Sequence, residues 1–134
     1  PYVQMLEAID LERASAAYRR LYPLLQGAYQ DLGYPDRYFN DRLIEVIDVL
    51  LVTPSPRAAP RVRLPEFSED VKPERPWVLY QFEDPALQSL AAGQRILLRM
   101  GPDNARRVKQ VLRALRQGIA TTPPPKPAGE PPPP

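Results

Sequence analysis

Three carboxylates, Asp41, Glu45 and Asp48, follow one another at spacings of four and three residues. At 100° per residue this spacing places them within about 60° of one another on a helix. A carboxylate stripe is the pattern for holding a divalent cation, or for dividing acid and base roles between two groups. The companions of such a site are missing. Asp31-Leu-Gly-Tyr-Pro-Asp36 breaks the calcium-loop pattern at once, and no other metal-ligating cluster stands nearby. The stripe is therefore expected to be a solvated acidic face, with no metal, cofactor or catalytic residue assigned to it.

A second row has the opposite sign. Arg106, Lys109, Arg113 and Arg116 share one face of the last helical segment, with Arg107 to one side. Such a row is the candidate for binding anions, whether nucleic-acid phosphates or lipid headgroups. No base-stacking aromatic lies on that segment and no nucleic-acid-binding motif surrounds it. A solvated cationic face near a helix C-terminus is the plainer expectation.

The rest of the chemical inventory is short. The chain has no cysteine and no histidine. That removes thiolate nucleophiles, cysteine-based zinc sites, and the commonest general base and transition-metal ligand. Ser15, Ser55, Ser68 and Ser89 stand in no nucleophile-elbow context, and no glycine-rich phosphate loop occurs. These absences argue against an enzyme.

The segment Gly33–Arg42 is the most informative candidate surface. Tyr34, Tyr38 and Phe39 pack three aromatics into six residues, interleaved with Arg37, Asp41 and Arg42. Turned inward, the rings would staple two helices together; turned outward beside Arg37 and Arg42, one or two would anchor a protein partner. Tyr34, Arg37, Tyr38, Phe39 and Arg42 are thus the candidate partner-binding residues.

The elements that must position these groups are read from periodicity. Tyr2, Met5, Leu6 and Ile9 form the stripe of a short amphipathic helix. Asp10 is the N-cap of a second, seamed by Leu11, Ser15, Tyr18, Tyr22, Leu25, Tyr29 and Leu32. Pro23 lies inside this seam and predicts a kink or break. Gly33 ends the helix, and a third is expected from about Asp36 to Val52. Arg61–Leu64 and Trp77–Phe82 read as two strands of a ribbon. Asp84-Pro85 opens a helix reaching Gly101-Pro102, with Gly93 as the candidate point of interruption, and the last helix spans 103–119.

Charge is segregated along the chain although the net charge is +2. Residues 1–52 carry five Arg against eight acids, and residues 84–134 carry eight Lys and Arg against three acids. Eight prolines fall in 123–134, where nothing apolar is available to bury. No apolar run is long enough to span a bilayer. The expected organisation is one helical domain over 1–120, cut from a longer protein, followed by a disordered proline-rich tail over 121–134. The expected fold is mainly α, with four to five helices in a compact bundle and a minor antiparallel β-ribbon. Apolar surface is expected to stay exposed on the Tyr2–Ile9 helix and on one face of Trp77–Phe82.

Two stretches carry a family resemblance. Leu32-Gly-Tyr-Pro-Asp-Arg-Tyr-Phe-Asn-Asp-Arg-Leu43 with Glu45–Asp48, and Ile96–Ala105, together with Tyr80-Gln-Phe82 and Asp84-Pro85, resemble a proteobacterial domain-of-unknown-function family. The likeness covers nearly the whole chain except the tail. Members of that family typically carry an N-terminal membrane-spanning helix and a proline-rich linker. The resemblance therefore implies an inner-membrane anchor upstream, with the domain facing the periplasm. It implies no activity, cofactor or catalytic residue. The segment from Glu66 to Arg75 is longer than the family's, and the tail is atypical of it. The expected function is a non-catalytic interaction or scaffold module of the bacterial cell envelope with a protein partner. The alternative is nucleic-acid or anionic-surface binding through the basic C-terminal helix.

Overall fold

The structure, a computed structural model, describes residues 2–67 and 73–120. Among these the order is α1 (Tyr2–Glu7), α2 (Leu11–Asp31), α3 (Phe39–Leu51), β1 (Val62–Arg63), a 3-10 turn (Pro76–Leu79), β2 (Gln81–Phe82), α4 (Pro85–Gln88), α5 (Ala92–Arg99) and α6 (Pro102–Ala120). The fold is mainly α with a two-stranded antiparallel ribbon, as the periodicity predicts. The tail expected over 121–134 lies outside the described residues.

The chain divides into two compact units: one holds the residues up to Val52 together with those from Arg106 onward, and the other is Thr53–Ala105. In the first unit Asp10 caps α2, its carboxylate accepting from the Glu12 and Arg13 amides at 3.1 Å each. The expected break does not occur: α2 stays helical through Pro23. Tyr22 and Gln26, on either side of the proline, are both buried and hydrogen-bonded. Tertiary bonds therefore hold both flanking turns helical against the proline's cost of about 3 kcal/mol. Leu32 closes the helix, and Gly33 takes φ 100°, the left-handed cap that glycine adopts without steric penalty.

Of the expected α2 seam, Ser15 and Tyr22 are buried and Leu11, Tyr18, Leu25 and Tyr29 half-buried, whereas Leu32 lies past the turn and is exposed. α6 lies against α2 at one close point. A β-carbon placed on Gly118 would stand 2.8 Å from the Ser15 hydroxyl, so glycine is what permits the approach. α6 is also tied to α1 by Arg107–Glu7 and to α3 by Arg116–Asp48. Ile47, Val108 and Ile119 complete the buried apolar set with Val3 and Tyr22.

The second unit is built on the ribbon. Val62 pairs with Phe82 and Arg63 with Gln81. The strand expected over Trp77–Phe82 is realised only in its last two residues, because Pro76 starts a 3-10 turn that takes up Trp77–Leu79. Tyr2, Met5, Leu6 and Ile9 are exposed as expected; in the second segment the exposed residues are Trp77, Val78 and Leu79 of the 3-10 turn rather than one face of a strand. Phe82 is buried; its amide donates to Gln88 Oε1 at 2.9 Å, and the Arg99 guanidinium lies over the Tyr80 ring at 4.8 Å.

The helix expected from Asp84 to Gly101 is two helices, which raises the count among the described residues to six from the expected four or five. Asp84 caps α4 through the Ala86 amide at 2.8 Å. The break falls at 89–91 rather than at Gly93: the Ser89 hydroxyl donates back to the Ala86 carbonyl, and Gln94 Oε1 accepts from the Ala91 amide to open α5.

The α2–α6 approach makes a direct prediction. Gly118→Val should lower the unfolding free energy by about 1–3 kcal/mol by overpacking against Ser15. Ser15→Gly in the same chain should recover part of that loss in urea unfolding.

Candidate functional site

The corner between α2 and α3 is organised by side chains of α2 that reach the start of α3. Helix α3 has Tyr38 at its N-cap, and this residue offers no side-chain hydrogen bond to the exposed amides of the first turn. The first two of those amides find partners on α2. Phe39 N–H donates to Gln26 Oε1 at 2.8 Å, and Asn40 N–H donates to the Tyr22 hydroxyl at 3.4 Å. The Tyr22 hydroxyl in turn donates to Gln26 Oε1 at 3.0 Å, while Gln26 Nε2 donates to the Arg37 carbonyl at 2.9 Å. Tyr18 donates to Asn40 Oδ1 at 3.0 Å, and Gln30 to the Pro35 carbonyl at 3.2 Å.

This arrangement is why α3 begins at Phe39 and not near Asp36 as expected. Residues 34–38 are held as a turn by Gln26 and Gln30, and the helix starts where its amides meet acceptors. Gln26 is 4% exposed and Asn40 6%. Neither was a candidate from sequence. The available signal was a glutamine one turn after a buried tyrosine, on the inward side of the seam.

Aromatic packing adds a second layer. Tyr29 stacks on Tyr34 with centroids 4.7 Å apart and meets Phe39 edge-on at 5.8 Å. Tyr18 and Tyr22 meet edge-on at 5.7 Å. Tyr38 and Phe39 are half-buried, whereas Tyr34 keeps 46% of its surface and Arg37 and Arg42 are exposed. The stapling role and the exposed ring thus coexist. Arg37, Tyr38 and Arg42 line an open depression of about 230 Å³ with Tyr29, Asp41 and Glu45. Arg42 donates to Glu45 across it at 3.1 Å.

The acidic stripe does not converge on one point. Asp48 is engaged bidentately by Arg116 at 2.6 and 2.9 Å, while Glu45 faces Arg42. The guanidinium beside Asp48 holds its carboxyl below the usual carboxylate range. Among the described residues no group of three His, Cys, Asp or Glu is placed to hold a metal ion.

The expected basic row is likewise not presented as one face. Lys109 is 7% exposed, its ammonium pushed below the usual lysine value by burial and by the neighbouring Arg113. Arg116 is occupied by Asp48 and Arg107 by Glu7, while Arg106 and Arg113 are exposed. The row fails because an i, i+3, i+7 pattern records only which helix face is charged, not which neighbouring helix supplies counter-charges.

Burial pushes the Tyr18 phenol up to about 12, helped by Tyr22, and pushes Tyr22 up as well. A phenol whose folded value exceeds its unfolded value near 10 contributes stability that is whole below pH 10 and is lost as pH rises through about 12. Alkaline unfolding followed by circular dichroism should therefore begin above pH 10, and Tyr18→Phe should flatten that limb. Gln26→Leu strands the Arg37 carbonyl, the Phe39 amide and the Tyr22 hydroxyl at the corner, and should cost about 2–4 kcal/mol in urea unfolding.

A family model described as a protein of unknown function (DUF3014) matches residues 1–116. No curated protein and no solved structure matches the chain. The chain belongs to the DUF3014 family.

Proposed function

From that membership, we propose that the chain is a non-catalytic interaction module of the bacterial cell envelope that docks a protein partner at the α2–α3 corner. The observation that carries the reading is a backbone turn fixed from beneath by buried Gln26 while Tyr34 and Arg37 stay open to solvent above it. Tyrosine and arginine are the side chains that most often dominate protein interfaces, and a turn already fixed loses little entropy on docking. The depression beside them, with arginines and carboxylates alternating around Tyr38, suits a partner segment that carries both charges.

The envelope part of the proposal is supported by the resemblance of Leu32–Leu43 and Ile96–Ala105 to a family whose members typically carry an upstream membrane anchor. No helix of the described residues is long and apolar enough to cross a membrane, so any anchor would lie elsewhere. The alternative, anion binding through α6, would require Lys109 to leave its buried position and Arg116 to release Asp48 before either met a phosphate.

Arg37→Glu and Tyr34→Ala test the reading. Each should leave the circular-dichroism spectrum unchanged, and each should weaken capture of the partner from solubilised envelopes by about 30-fold, the effect of a typical interface anchor. Equal capture by wild type and both variants would overturn the proposal.

A further inference from the structure

Helix α2 carries a second apolar row on the side away from its buried seam. Ala17, Leu21, Leu24 and Ala28 lie four, three and four residues apart, which confines them to about 60° of the helix circumference. All four are exposed, Leu21 at 50% and Leu24 at 73%. Half-buried Ala14 and the exposed C-cap Leu32 stand at the row's two ends. Open leucines at consecutive turns of the longest helix form a face that gains free energy when covered.

The order of the residues identifies the cover. Small, large, large, small reads the same from either end, with its midpoint between Tyr22 and Pro23. A two-fold axis through that midpoint lays a second α2 antiparallel on the first. It sets Leu21 on Leu24 of the partner subunit and Ala17 on Ala28 of the partner subunit. Because a two-fold interface uses one patch twice, a self-complementary row is what such an interface requires. The alanines at both ends let the backbones approach around the central leucines.

Charge selects the same orientation. Arg13, which pairs with Asp10 of its own chain at 3.3 Å, flanks the row at its start and Asp31 at its end, both exposed. An antiparallel pair brings each Arg13 beside Asp31 of the partner subunit, whereas a parallel pair sets Arg13 against Arg13. Antiparallel macrodipoles also attract.

The geometry points to a homodimer formed through this outer face of α2, with the two helices antiparallel. The face is distinct from the α2–α3 corner, so its test stands apart from that of partner docking. From Ala14 to Leu32 the row is about 27 Å long, a single helix pair at the small end of specific interfaces. Association through so small an interface is accordingly weak.

Sedimentation equilibrium of the full chain from micromolar to millimolar concentration should show this monomer–dimer equilibrium. Leu21→Glu with Leu24→Glu should weaken it at least tenfold while leaving the helical spectrum intact, since both side chains are open in the monomer. The chain has no cysteine, so single cysteines report orientation cleanly. A mixture of Ala17→Cys and Ala28→Cys chains should yield the mixed dimer with a short bismaleimide, and neither chain should cross-link with itself. Self-cross-linking of Ala17→Cys alone, a monomer at all concentrations, or a dimer untouched by the double glutamate variant would each overturn the inference.

Discussion

The first turn of α3 depends on acceptors that belong to another helix. Four amides at any helix start lack partners within the helix, and the usual remedy is a short polar side chain at the N-cap. Tyr38 occupies that position and supplies none. Gln26 and Tyr22 of α2 accept from Phe39 and Asn40 instead, and Gln26 simultaneously secures the Arg37 carbonyl. The start of α3, the path of the turn before it and the angle between two helices are thus fixed by one buried amide and one buried phenol. Without them nothing local would stop α3 from starting elsewhere, and Tyr34 and Arg37 would have no defined position.

The two charged stripes meet a related fate. Taken alone, Asp41–Glu45–Asp48 suggests a cation site and Arg106–Lys109–Arg113–Arg116 an anion site. In the folded first unit part of each stripe answers the other, because Asp48 and Arg116 form a bidentate pair between α3 and α6. The segregated charge of the sequence, acidic before Val52 and basic after Asp84, is in this unit a means of pairing its first helices with its last. Arg107 with Glu7 repeats the pattern at α1. These pairs are partly solvated, so they contribute more to which helices pair than to overall stability.

What was legible in the sequence was local. Asp10 and Asp84-Pro85 as helix starts, and Gly33 and Gly101 as positive-φ stops, are decided by a few neighbouring atoms, and all four stand where pattern places them. The family resemblance was legible for the same reason, since its motifs sit on those turns. What was not legible required a partner distant in sequence. Pro23 is tolerated because Tyr22 and Gln26 hold the turns around it, α3 starts late because its cap lies 13 residues upstream at Gln26, and Lys109 is buried despite its charge. The α4–α5 break lies between these cases: its signals, Ser89 and Gln94, are local, but Leu87, Leu90, Leu97 and Leu98 on either side read as the stripe of one helix.

The corner's ionisation chemistry favours holding over reacting. A general base must exchange its proton near neutral pH, which requires a value tuned toward 7. The two phenols beneath the turn are shifted the other way, Tyr18 to about 12, so they keep their protons throughout the physiological range. A hydroxyl that keeps its proton across that range is a standing donor, and here each donation has a fixed acceptor, Asn40 for Tyr18 and Gln26 for Tyr22. The burial that makes these groups poor proton shuttles makes them good brackets. Tyr34 and Arg37, mounted on such a bracket, present a surface whose shape is already set.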